Sequence, residues 1–149
     1  MIQTIIKRFE DINQTYEMLL LNSEAIFVSL KTKEFEELDL LNGKRAAGLQ
    51  ELEEKLVQLK NEISLACSQL HIKEIGIRSL EPYMNLSEKE QIMAHQRDAF
   101  HFEKKLKNNT KVNQCLVEAM MACSQTIVET WVHVASQENQ TNAFMNKKF

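Results

Sequence analysis

The chain has 149 residues and a formal net charge of −3, and it contains only three Gly and one Pro. This length fits one domain, and the scarcity of Gly and Pro favours a few long helices over strands. The 18 basic and 21 acidic residues are interspersed, so the basic stripe expected of a nucleic-acid-binding protein is missing. No apolar run approaches the roughly 20 residues that a membrane span requires.

The N-terminus and the cysteines both indicate a cytoplasmic protein. Residues 1–8 lack the basic-then-apolar order of a signal peptide. The three cysteines, Cys67, Cys115 and Cys123, lie inside apolar helical patterns and are odd in number. We expect them to be buried thiols in a reducing compartment, not parts of a disulfide framework.

The first predicted helix covers residues 2–30 and carries a heptad stripe. Spacings of three and four alternate for about four heptads, which is typical of a coiled coil. Ser23 is the only member of the stripe that is not apolar. The stripe comprises Ile2, Ile5, Phe9, Ile12, Tyr16, Leu19, Ser23, Ile26 and Leu30.

The second predicted helix covers residues 33–80, with Thr32 as its N-cap. Gly43 and Gly48 make its first half the expected place for a bend or a close helix approach, since Gly costs about 1 kcal/mol in a helix interior. A Leu-rich heptad stripe follows over residues 49–70. Pro82 is expected to end the element.

The third predicted helix covers residues 88–135, after a capping box formed by Ser87 and Glu90. Its heptad stripe contains two polar residues, Asn109 and Asn113, which at such positions commonly fix helix register. The polar segment 136–149 is predicted to be a flexible tail. These elements predict an all-α fold: an elongated antiparallel three-helix bundle or coiled-coil hairpin, with residues 1–135 as one domain.

Residues 113–134 are more apolar than an ordinary surface helix. A first stripe comprises Leu116, Met120, Cys123, Ile127 and Val134, and we predict that it packs inside the bundle. A second stripe comprises Val117, Met121, Val128, Val132 and Ala135. Three helices, one of them short, cannot easily cover both stripes, so the second stripe is predicted to need a further partner: another helix of the same chain, a second copy of the chain or a different protein. Trp131, a residue type common at interfaces, lies near its end.

No pattern in the chain indicates catalysis. Phosphate-binding, nucleophile-elbow and Cys-x-x-Cys motifs are absent from the sequence. The nearest approaches to a di-metal pattern, Asp98 with His101 and Glu129 with His133, lack symmetric mates. His71 and His95 are more simply structural. We therefore predict a protein that is not an enzyme and that has no catalytic residues, metal site or cofactor.

The order of these features resembles that of the FlgN-type flagellar export chaperones of bacteria. A leading heptad helix is followed by the acidic start KEFEELDLL (33–41), the pair Lys44-Arg45 and a Leu/Glu-rich helix at 49–70. The last helix contains NQCL (113–116) before its apolar end. The resemblance covers nearly the whole chain.

The resemblance implies a cytoplasmic chaperone that binds the C-terminal helical segments of hook–filament junction proteins and prevents their premature assembly. It also implies delivery to the flagellar type III export apparatus, with components of the export gate or export ATPase as further candidate partners. In that family the C-terminal part engages the substrate. The substrate-binding residues predicted here are Val117, Met121, Val128, Trp131, Val132, Phe144 and Met145. The alternative is a structural coiled-coil or oligomerisation protein of a type III secretion system, in which the second stripe would be an oligomer interface.

Overall fold

The computed structural model describes the backbone of residues 1–148 and the side chains of residues 1–137. Three long α-helices, α1 (Ile2–Thr32), α2 (Phe35–Gln69) and α3 (Leu86–Lys148), are accompanied by a short 3-10 helix at Arg78–Tyr83. No strand occurs in the described part of the chain, which confirms the all-α prediction. The predicted tail at 136–149 lies almost entirely outside the described side chains.

The chain divides into two compact units, Met1–Asn113 and Gln114–Phe149. The division falls within α3, and each unit is described by itself. The prediction that residues 1–135 form one domain remains a prediction. The hydrophobic core described below belongs to the first unit.

Helix α1 supplies the centre of the core because its heptad stripe is buried along its whole length. Ile5 and Ile12 are each only 1% exposed, and Ser23 is equally buried. Helix α2 runs antiparallel to α1, since Arg8 forms an ion pair with Glu62 near the end of α2, whereas Asn22 donates to the backbone oxygen of Leu41 near its start. The turn between the two helices places Lys33 in the left-handed conformation, with φ of 60°.

The start of α2 differs from the prediction. Thr32 is the last residue of α1, and its hydroxyl donates to the backbone oxygen of Val28, 3.0 Å away. The N-cap of α2 is Glu34, which makes no side-chain capping hydrogen bond. The prediction that Thr32 caps the second helix is therefore wrong, because its hydroxyl is used within the preceding turn.

The two Gly residues of α2 have different surroundings. A Cβ added at Gly48 would lie 2.8 Å from Cδ2 of Leu19, whereas one at Gly43 would meet nothing within 4 Å. Gly48 therefore permits a close approach of α2 to α1. A close approach was one of the two alternatives predicted for this part of the helix, and a bend was the other. The helix continues without interruption through both positions.

The second helix ends at Gln69, eleven residues before the predicted end at 80. Beyond it His71 adopts a positive φ of 56°, and the chain turns back towards the 3-10 helix. Leu80 in that helix is fully buried, and Met84 is also buried in the same core. The apolar residues after 70 thus do not extend α2. Leu80 and Met84 close the end of the core, with Ile72 and Ile77 partly buried against it, and a heptad frame alone does not distinguish these two roles.

The capping box of α3 is real but lies two residues earlier than predicted. The backbone N–H of Glu88 donates to Oδ1 of Asn85, and the backbone N–H of Asn85 donates to Oε2 of Glu88, both at 2.9 Å. This is the reciprocal arrangement of a capping box. Ser87 and Glu90, the predicted pair, therefore lie within the helix. Asn85 is as good an N-cap as Ser, so residue type did not separate the two possible registers.

Helix α3 runs parallel to α1 within the first unit, with polar contacts at both ends. Gln3 donates to Oε1 of Glu88 at 3.3 Å, and Asn113 donates to the backbone oxygen of Ser23 at 3.0 Å. Asn113 and Ser23 are both buried. Ser23 of the α1 stripe and Asn113 of the α3 stripe are therefore partners, which fits the register-fixing role predicted for Asn113.

Tyr16 is predicted to make the fold less stable at alkaline pH. Burial raises the pKa of Tyr16 above its usual 10.0, and the negative charge of Glu103 raises it further. The folded state therefore holds the phenolic proton more tightly than the unfolded state, so the contribution of Tyr16 to stability is fully present below about pH 10 and is lost as the pH rises above it. We expect Tyr16→Phe to remove much of this decrease in urea unfolding curves recorded between pH 8 and 11. The exposed Tyr83 supplies the control substitution, Tyr83→Phe, which should unfold as the wild type does.

Candidate protein-binding surface

The second stripe of α3 is exposed to solvent in every member that was predicted to bind substrate and whose side chain is described. The exposed fraction rises from 37% for Val117 to 60–70% for Met121, Val128, Trp131 and Val132. At about 100° per residue these side chains occupy one sector of the helix surface. Exposed apolar side chains that are contiguous in this way are characteristic of interaction sites.

The first stripe is not packed inside a bundle, contrary to the prediction. Leu116 and Met120 are half-buried, but Cys123, Ile127 and Val134 are exposed. Heptad spacing places these residues on one face of the helix, but it does not supply a helix to cover that face. The first and second stripes are centred about 120° apart on the helix surface.

The cysteine prediction holds for one of the three thiols. Cys67 is fully buried, and its Sγ lies 3.8 Å from the backbone oxygen of Gly76. Cys115 and Cys123 are exposed on α3, where the prediction of buried thiols is wrong. The error has the same origin as that for the first stripe, because both cysteines were placed by helical pattern alone.

Residues 112–137 of α3 include few charged side chains. Glu118 and Glu129 are the only charged acidic or basic residues between 112 and 137. Each accepts a hydrogen bond from a Gln one turn earlier, Gln114 to Glu118 at 3.1 Å and Gln125 to Glu129 at 3.0 Å. Both carboxylates lie away from the first stripe, whereas Glu118 is within one helical turn of Met121 in the second.

The sequence did not indicate a cavity that opens between the end of α1 and α3 in the first unit. Its volume is about 290 Å³. Phe27, Val28 and Val112 give it a mainly apolar wall, beside the buried pair of Ser23 and Asn113. Val28 and Val112 lie off the heptad stripes, so periodicity could not have identified them. The cavity can accept an apolar side chain.

Two of the predicted substrate-binding residues, Phe144 and Met145, lie outside the described side chains.

Of the histidines discussed above, His95 is half-buried, with Nε2 3.8 Å from Oε1 of Glu10. Over the described residues, the structure contains no cluster of three or more His, Cys, Asp or Glu that could hold a metal ion. The described lengths of the helices also include no segment apolar enough to cross a membrane.

Comparison with known proteins gives no relative from which a site could be transferred. The chain matches no family model, no curated protein and no solved structure.

Proposed function

We propose that this chain is a cytoplasmic export chaperone that binds the C-terminal helical segments of hook–filament junction proteins. It prevents their premature assembly and aids their delivery to the flagellar type III export apparatus. The observation that supports binding of a helix is the exposed second stripe of α3. The identity of the cargo rests on the sequence resemblance to FlgN-type chaperones.

The spacing of the second stripe suits an amphipathic partner helix. Val117 and Met121 are four residues apart, as are Val128 and Val132, so each pair projects from successive turns of one face. Recognition of a helix commonly uses apolar anchors at such i, i+3, i+4 and i+7 positions. The apolar face of a cargo helix would therefore be covered by the same kind of contact that it makes after assembly.

Most of the binding free energy is expected to come from the burial of a few apolar side chains. Full burial of a Val or Met side chain stabilises a complex by about 1.5–3 kcal/mol, before the costs of association are subtracted. Trp131 is 70% exposed and offers the largest apolar area of the segment. Binding of this type requires no chemical step, which is consistent with our proposal that the protein is not an enzyme. Components of the export gate or export ATPase are proposed as further partners for delivery.

We expect charged substitutions in the second stripe to abolish cargo binding without unfolding the chain. Met121→Asp and Val128→Asp should each weaken binding of a hook–filament junction protein from the same genome by at least about tenfold, because each places a carboxylate against the apolar face of the cargo. Isothermal titration calorimetry with the purified junction protein measures the loss. Circular dichroism measures whether the helices are retained.

Ala122→Asp is the matched control, since it adds the same charge on the polar sector between Glu118 and Glu129. This variant should bind as the wild type does. Unchanged binding by both stripe variants would contradict the proposed site. If the stripe variants instead lost stability while binding was retained, the second stripe would be part of a core.

A chain ending at Val134 tests the contribution of the segment that contains Phe144 and Met145.

The alternative function, a structural coiled-coil protein of a type III secretion system, is favoured by the exposure of the first stripe. Such a protein would use α3 for assembly and would bind no junction protein. Failure of the unmodified chain to bind purified junction proteins, together with stable self-assembly, would support this alternative.

A further inference from the structure

Helix α3 keeps one heptad frame in both units, but among the described side chains of that frame only those of the first unit are buried. In the first unit the a positions include Ile92, Leu106 and Asn113, all of which are buried. The frame continues after residue 113 without a slip. Its later a positions are Met120, Ile127 and Val134, and its d positions are Leu116, Cys123 and Thr130. From 114 to 137, where side chains are still described, none is buried.

A helix of this kind gains most of its stability from packing of its apolar face. The first stripe therefore requires a partner that carries the same heptad period. We propose that residues 114–137 of α3 pair with the same segment of a second copy of this chain, forming a parallel, in-register, two-stranded coiled coil through the first stripe.

The residue types at the core positions favour a parallel dimer. Two of the three a positions, Ile127 and Val134, are β-branched, and the first d position is Leu116. β-branched residues at a with Leu at d favour two parallel strands over higher oligomers. The segment of 24 residues corresponds to about 36 Å of helix, or roughly three heptads.

The charge distribution permits an identical copy as the partner. The e positions hold Val117, Ser124 and Trp131, and the g positions hold Ala119, Thr126 and His133, so no acidic or basic group other than the imidazole flanks the proposed interface. Heterotypic coiled coils select their partners with complementary e and g charges. Here Glu118 and Glu129 occupy f and c positions, away from the interface, and two copies would not bring like charges together.

Self-association through the first stripe leaves part of the second stripe free for cargo. The second stripe lies about 120° away around the helix, so Met121 and Val128 would remain accessible in the dimer. Val117 and Trp131 of the predicted cargo site lie at e positions beside the interface, so the tests use Ile127 for the dimer and Met121 and Val128 for cargo binding.

Cys123 and Cys115 provide a direct test with a built-in control. Both thiols are exposed, but Cys123 occupies a d position of the first stripe, whereas Cys115 occupies a c position on the polar side. In a parallel, in-register pair the two Cys123 residues face each other, as a disulfide requires. Mild oxidation of the full chain with copper phenanthroline and oxygen would join two Cys123 thiols. Two electrons pass to the oxidant and two protons to solvent.

We expect a disulfide-linked dimer on non-reducing gels for the wild type and for Cys115→Ser, with at least about tenfold less for Cys123→Ser. Equal cross-linking through Cys115, or unchanged cross-linking in Cys123→Ser, would overturn the proposed register. An antiparallel pair packs d positions against a positions, so the two Cys123 thiols would not face each other, and a dimer that does not cross-link through Cys123 would overturn the parallel arrangement.

Analytical ultracentrifugation of the reduced chain, from about 1 to 200 µM, provides an independent measurement. The wild type and Ala122→Asp should dimerise with increasing concentration, whereas Ile127→Asp should shift the midpoint at least about tenfold upward. A wild-type chain that stays monomeric over this range would overturn the proposal. Binding of a junction protein by Ile127→Asp reports separately on the proposed function.

Discussion

Replacing Leu80 by Ala should lower the free energy of unfolding by about 2–5 kcal/mol, the range found for large-to-small substitutions at well-packed sites. Leu80 is fully buried and belongs to the same hydrophobic cluster as core residues of α1, α2 and α3. The loss includes the apolar area removed and the cavity that remains, because a short 3-10 helix between two long helices cannot easily collapse into the space. Urea unfolding followed by circular dichroism measures the change.

Ile75→Ala is the control for this prediction. Ile75 lies in the same connection but is 62% exposed. Its replacement should change the free energy of unfolding by no more than about 0.5 kcal/mol. Equal effects of the two substitutions would mean that residues 70–85 do not close the core in the way described above.

Replacing Asn113 by Ala should cost about 1–3 kcal/mol, even though the new residue is apolar and favours helix. The amide of Asn113 donates to the backbone oxygen of Ser23 at 3.0 Å and lies 3.4 Å from its hydroxyl oxygen. The substitution leaves the Ser23 hydroxyl in an apolar environment without this partner, and it also leaves a cavity. Thermal or urea unfolding of the variant measures the cost.

The double variant Ser23→Ala/Asn113→Leu distinguishes a hydrogen-bonding role from a purely steric one. Removing both polar groups and refilling the space should recover most of the stability, because no buried polar group is left unpaired. If the pair fixes the register of α3 on α1, the double variant should also show broader amide NMR signals in both helices despite its recovered stability. A double variant as unstable as Asn113→Ala would show that the polar pair itself stabilises the fold.

The sequence was sufficient for the features that depend on local pattern and composition. The heptad stripe of α1 predicted which of its residues would be buried, since a long helix with one apolar face must cover that face. The scarcity of Gly and Pro predicted long helices, and Pro82 marked a break close to the connection. The amphipathic pattern of residues 113–134 also placed the candidate binding residues on one face of a helix.

Tertiary structure decided the features that depend on which partner is present. The apolar residues after 70 could either continue α2 or fold back into the core. The burial of Leu80 shows that this segment folds back. Ser23 and Asn113 are separated by 90 residues, so no local rule could identify them as partners. Ile127 and Val134 follow the same heptad frame as the buried Leu106, yet both are exposed. Periodicity determines which residues share a face, because that is a property of one helix. Burial requires a second surface, and only the folded chain shows where that surface ends.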